Sequence, residues 1–472
     1  MQTHPIPSAL RHLLDRFREC FTAPGFENFV TLLTGWILLP GRHTISRVIQ
    51  AARGAGRPKH HSSHYRFLAR GSWCADTLGR VLWRLLLPWL PTEVIVIVDD
   101  SLCHKSGPHL FGAGMHHDAA RSTYARGWRQ VKAFAFGHQW VLLSVRVPCP
   151  WNPARGWAVP FLFRLYRNPR RCPKAEYQKR TELAAGLVAL LVSWLPEDRT
   201  LHLTGDSEYA CRTVVRALPE GVVFTGPVCL DAALYKRPGR PARRGRPRLK
   251  GQRLPNPERI ASRKRRGWTR VSLTLYGKEV TLLTWSRTCL WYTVAGSRPV
   301  RVVVTKDPRG RARPRAYFCT DPERSVEQIL QTYAQRWELE VAIRNAKQML
   351  GVEDPQNGWW RRKHGRRSDT RKPGPHPRGR RGEQAVRHTV PLAFVAYATV
   401  LLWYLHHGDR KRDIARARLL APWYRHKREP AFSDMLAALR RDLWVQRLSP
   451  HPRAKQDPQE IEDLLPWWAF AA

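Results

Sequence analysis

The sequence predicts an α/β fold built on a mixed sheet, with helical segments at both ends of the chain. Three observations carry this expectation. Residues 94–98 (VIVIV) form an unbroken β-branched run, the pattern of a strand buried on both faces. Between 130 and 226 strand-type and helix-type runs alternate, the order of a sheet covered by helices. The first ninety residues, and the chain beyond 391, instead carry apolar residues at the three-to-four spacing of helices.

Element by element, helices are expected at 8–21, 26–38, 43–53, 63–70 and 76–90, separated by the Pro- and Gly-bearing breaks APG, LPG and GAGRP. Arg, Lys and His punctuate these helices, which suits DNA contact; a bundle that only packs on the next domain is the plainer alternative. Strands follow at 94–98, 130–137 and 139–149, then a helix at 174–195, a strand at 200–206, a helix at 207–218 and a strand at 221–226. Residues 236–266 hold fourteen Lys and Arg against one acid, Glu258, and read as a mobile basic arm. Four β-type runs come next, at 269–277, 278–286, 290–296 and 300–307, before a helix at 325–350. A second basic, Pro- and Gly-rich loop covers 361–387, with eleven Lys and Arg against Asp369 and Glu383. Both loops are expected to pack poorly without DNA. The run 391–405 (PLAFVAYATVLLWYL) is short for a bilayer span and reads as a buried helix. These elements divide the chain into a helical N-terminal domain (1–90), a first core part (91–228), a basic arm with β-rich insertion (229–316), a second core part (317–406) and a helical basic C-terminal region (407–472).

Charge narrows the function. The 472 residues include 81 Lys and Arg against 37 Asp and Glu, a net +44, and the two basic loops hold half of it. Such a chain is expected to bind a polyanion, nucleic acid before a membrane surface. The nine cysteines form no CxxC pair, so neither a zinc site nor a disulfide framework is expected. With no apolar run at the N-terminus, a cytoplasmic location is expected.

Candidate chemistry lies in the acids. Asp99 and Asp100 follow the 94–98 run and Asp206 closes 200–206, where a sheet holds a carboxylate rigidly yet within reach of solvent. An Asp after a strand is also a common turn residue. The helix 325–350 is more telling: Tyr333, Arg336, Glu340 and Lys347 fall within about 60° of one another on an ideal helix. An ion pair at i,i+4 explains Arg336 and Glu340 but not the aromatic and the distant Lys. Three converging carboxylates can hold two Mg²⁺ ions about 4 Å apart, with basic residues of the stripe on the flanking phosphates.

The spacing Tyr333-x2-Arg336-x3-Glu340-x6-Lys347 resembles the Tyr-Arg-Glu-Lys signature of insertion-sequence DDE transposases, the "insertion sequence four" superfamily. Asp99-Asp100-Ser101-x3-Lys105-x-Gly107 resembles the first-acid block of its DDE-superfamily-endonuclease branch, and Gly205-Asp206-Ser207 the second-acid block. The stretch PGRHTISRV…HHSSHYRFLAR resembles the leader domain of that branch, so the likeness covers roughly residues 30–405. The resemblance implies an RNase H-like core with a β-rich insertion before the third acid. It also implies catalysis and metal binding by Asp100, Asp206 and Glu340, with Asp99 the second choice for the first acid, and two Mg²⁺ (or Mn²⁺) ions. Tyr333, Arg336, Lys347 and Lys105 are implied near DNA. A tryptophan of the insertion, Trp285 or Trp291, is a candidate to hold a flipped base. Arg244-Gly245-Arg246-Pro247-Arg248 resembles an AT-hook core, which lies in a narrow A·T minor groove.

The expected protein is thus a transposase. It would bind double-stranded terminal inverted repeats and target DNA, act as a synaptic dimer with no membrane partner, and work at the bacterial nucleoid. Two other readings are a host nuclease that cuts without joining and a non-catalytic DNA-binding derivative.

Overall fold

The computed structural model describes residues 6–53, 55, 59–106, 110–124, 130–239, 247–356 and 379–448, with the backbone alone at 123, 124 and 130. The N-terminal helices fall where the apolar spacing places them: α1 (Ser8–Asp15), α2 (Ala23–Leu38), α3 (Ile45–Ala51), α4 (His61–Arg70) and α5 (Ala75–Leu86). Thr22 and Thr44 cap α2 and α3 by accepting backbone N–H bonds.

The centre is one ten-stranded sheet. Its first strands are β1 (Glu93–His104), β2 (Gly114–Tyr124), β3 (Gln130–Cys149) and β4 (Asn152–Tyr166). After α6 (Arg180–Val192) come β5 (Thr200–Gly205), α7 (Arg212–Arg216) and β6 (Val223–Pro227). β4, β3 and β1 run antiparallel in that order, and β5 and β6 then continue parallel to β1. Three antiparallel strands followed by two parallel ones is the RNase H-like order that the resemblance implies.

The insertion prolongs this sheet. α8 (Pro257–Arg263) precedes β7 (Thr269–Leu275), β8 (Lys278–Cys289), α9 (Tyr292–Ala295), β9 (Val300–Lys306) and β10 (Arg315–Cys319). β10 pairs with β6, so β10, β9, β8 and β7 extend the sheet outward. Their side chains alternate between two cores: Val302 and Val304 face the main one, Val303 and Tyr317 a smaller one shared with Ile329 and Leu330. Those last two belong to α10 (Val326–Gln335), which is followed by α11 (Trp337–Leu350).

The chain ends in α12 (Arg380–His407), α13 (Arg410–Leu420) and α14 (Phe432–Leu448). α12 is long and apolar enough to cross a membrane by length and composition, but 94% of its apolar window is buried inside the protein. It packs against α1, α2, α4, α5, α14 and β4, so the first and last helices share one core around it.

Several expectations change. The 94–98 run continues to His104, which places Asp99 and Asp100 inside a strand. The runs 130–137 and 139–149 are one strand, β3, because Gly137 passes through without a turn. β2 and β4 were not anticipated: β2 is mostly polar and β4 carries Pro153 and Pro160. The 207–218 helix shrinks to α7, and 290–296 holds the short helix α9, not a strand. Within the 236–266 arm the segment 254–261 is packed, with Leu254, Pro257, Ile260 and Ala261 buried, while 262–266 are exposed. Its base is also paired, with Tyr235 bridging both Arg253 and Leu290. Residues 380–387 of the second loop are the first turns of α12, with Ala385 and Val386 buried.

Candidate active site

α10 begins with a capping box: Ser325 Oγ accepts from the Gln328 N–H and Gln328 Oε1 accepts from the Ser325 N–H. The helix expected at 325–350 is broken at Arg336, where the backbone bonds tighten to i→i−3. Tyr333 therefore ends α10, Arg336 occupies the joint, and Glu340 and Lys347 belong to α11. α11 stops at Gly351 (φ 51°), where a Cβ would meet the Asp354 carboxylate at 2.2 Å. Asp354 accepts the His43 N–H at 2.7 Å and Leu350 O accepts from Trp36 Nε1 at 2.7 Å, tying this end of α11 to the N-terminal helices.

Arg336 joins the sheet to the helix. Its guanidinium donates to Asp99 Oδ2 at 2.8 Å and to Glu340 Oε1 at 2.7 Å. Asp100, one residue on, faces other partners: Arg180 at 2.7 Å, Gln139 at 2.5 Å and the Tyr209 hydroxyl at 3.2 Å. Arg180 also binds Glu208 at 2.8 Å. The alternation of strand side chains explains the split, with α11 on the Asp99 side and α6 on the Asp100 side. Asp206 follows β5, whose Gly205 is level with Val98 of β1. Its Oδ1 accepts the Glu208 N–H at 2.9 Å and caps the turn that carries Tyr209.

Burial pushes the Asp99 carboxyl up to about 7, with repulsion from Asp206 and Asp100 adding to it and Arg336 opposing it. Burial also raises Asp100, again with Asp206 adding and Arg180 opposing. Asp99, Asp100 and Asp206 therefore share one electrostatic neighbourhood, and Glu340 reaches it through Arg336. Among the described residues no three His, Cys, Asp or Glu side chains converge as a ready metal-ligand set. The donors nonetheless suit a hard divalent cation: they are carboxylate oxygens, and the guanidinium ions of Arg336 and Arg180 offset only two of the four acids Asp99, Asp100, Asp206 and Glu340.

The other expected residues separate. Lys347 donates to Leu102 O at 2.5 Å and pairs with Glu353 at 2.9 Å. Tyr333 packs on Tyr317 with ring centroids 4.9 Å apart. Lys105, expected near DNA, is instead buried, its ammonium donating to Glu353 O and Pro355 O, both at 2.7 Å. Lys105→Met is expected to cost about 1–3 kcal/mol by leaving those carbonyls unpaired. Denaturant unfolding should show the loss while DNA affinity stays unchanged; weaker affinity at unchanged stability would return Lys105 to the DNA surface. Trp291 is buried edge-on against Phe318, a core position, and Trp285 is half-buried beneath Lys264. Arg248 is exposed, whereas Arg244 and Arg246 lie outside the described residues.

Sequence reasoning missed Arg180, Gln139, Tyr209 and Glu208, which form no spaced motif. It also missed the exposed pair Tyr276 and Trp337, whose rings meet edge to face at 6.3 Å. Tyr276 takes φ 52° in the β7–β8 turn beside Gly277, so a Tyr-Gly turn was the available signal. Glu338, the neighbouring acid on α11, is a structural partner of the buried Arg146 at 3.0 Å.

Residues 16–291 match the family described as DDE superfamily endonuclease. Residues 291–366 match a family described as an archaeal transposase, ISC1217. No curated protein matches the chain. Among solved structures, the chain is similar to piggyBac transposase in a synaptic complex with hairpin DNA, at 12% identity and a TM-score of 0.38, covering 98% of this chain and 81% of that one.

Proposed function

Because this chain belongs to the DDE superfamily endonuclease family, we propose that it is the DNA transposase of an insertion sequence of the Tyr-Arg-Glu-Lys type. It binds terminal inverted repeats, cuts to expose a 3′-hydroxyl and joins that end to target DNA. The observation that carries this reading is the carboxylate neighbourhood of β1 and β5 linked through Arg336 to Glu340. By the resemblance Asp100, Asp206 and Glu340 would hold divalent metal, and Asp99, which shares Arg336 with Glu340, is the competing first acid on the α11 side. Bound Mg²⁺ or Mn²⁺ supplies Lewis-acid activation of the attacking oxygen and stabilisation of the leaving 3′-oxygen. The protein's part is to hold the carboxylates rigidly on the sheet and to place Arg336 and Lys347 beside phosphate. The 1–90 helices, Arg248 and the adjoining Arg244 and Arg246 contribute DNA contacts. The protein acts as a synaptic dimer in the bacterial cytoplasm, at the nucleoid.

The test is product analysis on a labelled terminal-repeat duplex with plasmid target and Mg²⁺ or Mn²⁺. Both nicked ends and labelled plasmid are expected. Nicks without joined plasmid would favour a nuclease that does not transfer strands, and binding without nicks a non-catalytic derivative. Asp99→Asn and Asp100→Asn, assayed side by side, assign the first acid by which one stops cleavage.

A further inference from the structure

A second concentration of positive charge lies beyond the carboxylates. Loop 110–113 and the turn after β4 enclose a cavity of about 360 Å³ lined by Phe111, Gly112, Arg167, Arg170 and Arg171. The loop is held in shape: Gly112 has φ 69°, and a Cβ there would meet the Leu165 side chain at 2.6 Å. The Arg167 guanidinium lies over the Phe111 ring at 4.9 Å, and that of Arg387 at 6.0 Å. Arg171 donates to Ala113 O at 3.2 Å and covers Phe136 at 5.4 Å, so it too is placed.

The charges here do not balance. Arg167 pairs with Glu176 at 2.5 Å and Arg387 with Glu383 at 2.9 Å. Arg170 and Arg171 have no carboxylate partner among the described residues, and the Arg167 Nε is buried without an acceptor. Surplus planar N–H donors without carboxylate partners match the phosphates of a nucleic-acid backbone, which guanidinium forks hold.

Position connects this cavity to the carboxylates. Arg180, which binds Asp100, lies over the Tyr166 ring at 5.8 Å, and Tyr166 immediately precedes Arg167. The ring that Arg180 covers is thus one residue along the chain from the cavity's Arg167. We propose that this cavity is a subsite for the phosphodiester backbone of the DNA strand being processed, with phosphate on Arg170 and Arg171. The proposal rests on the DNA-processing reading above and adds a contact outside the signature residues.

The experiment measures binding of the full chain to a terminal-repeat duplex across a salt series. Arg170→Ala/Arg171→Ala is expected to weaken affinity about tenfold at physiological salt and to flatten the log–log salt slope by about 2, one step for each lost phosphate contact. Arg170→Lys/Arg171→Lys keeps both charges and should keep the slope, which separates lost phosphate contact from disturbed folding. Deoxyadenosine monophosphate at millimolar concentration, without DNA, should not saturate the cavity. Stoichiometric binding of that nucleotide with an unchanged duplex slope in the Ala variant would make this a free-nucleotide site and overturn the proposal. A wild-type protein without salt-steep duplex binding removes the underlying reading and the subsite with it. A steep wild type with an unchanged Ala variant removes the subsite alone.

Discussion

Glu340→Gln is expected to bind the terminal-repeat duplex within a few-fold of wild type while losing cleavage by more than about a hundredfold, beyond the 10–100-fold cost of disturbing an outer-shell partner of a metal site. The separation follows from where the residue sits. Glu340 is one carboxylate in a chain of +44 net charge, so the field that attracts DNA is unchanged within a few per cent. The amide oxygen can still accept the Arg336 bond made at 2.7 Å, so the α10–α11 joint keeps its geometry. What disappears is a charged oxygen donor, and an amide is a poor substitute where the other donors are carboxylates. Gel shift and cleavage can be read on the same labelled duplex. Near-wild-type cutting would place the third carboxylate elsewhere, and lost binding would give Glu340 a structural role instead.

Arg336→Ala is expected to destabilise the metal-free protein by about 3 kcal/mol, the scale of breaking a buried ion pair from one side. Arg336 and Asp99 are each about one-sixth exposed, and the guanidinium is the cation that opposes burial and the neighbouring acids at Asp99. The pH dependence has a definite sign. A carboxyl raised above its unfolded value binds a proton on folding, so its stability contribution is complete below the unfolded pKa and is lost as pH rises through the folded one. For Asp99 that window runs from about 4 to about 7, and without Arg336 its upper end should move to higher pH. Asp99→Asn in the Arg336→Ala background should recover most of the stability, because the uncompensated charge is gone. Unfolding curves at pH 5 and pH 8 check both statements; equal stability of wild type and Arg336→Ala at both would show that the bridge holds nothing.

Much of the architecture was readable from local pattern. Apolar spacing located α1 to α5, the β-branched run located β1, and the basic stretches stood out by composition. The failures share a cause. β4 pairs with β3 despite two prolines, and β2 despite its polarity, because long-range pairing outweighs local propensity. The single helix assumed over 325–350 missed the break at Arg336, where the pull of Asp99 and Glu340 on one side chain meets a tightened turn.

The sequence by itself determined which residue types could do chemistry here, because short-range order is written in neighbouring residues: acids beside strand-forming runs, and Tyr333, Arg336, Glu340 and Lys347 at helical spacing. Only the tertiary structure decided how those groups are shared out. It turned Asp99 toward Arg336 and Glu340 and Asp100 toward Arg180, recruited Gln139 and Tyr209 from outside any motif, and withdrew Lys105 into the 353–355 turn. The physical reason is that a buried charge is tolerated only with a partner, and partners come from wherever the folded chain brings them, 237 residues away in the case of Asp99 and Arg336.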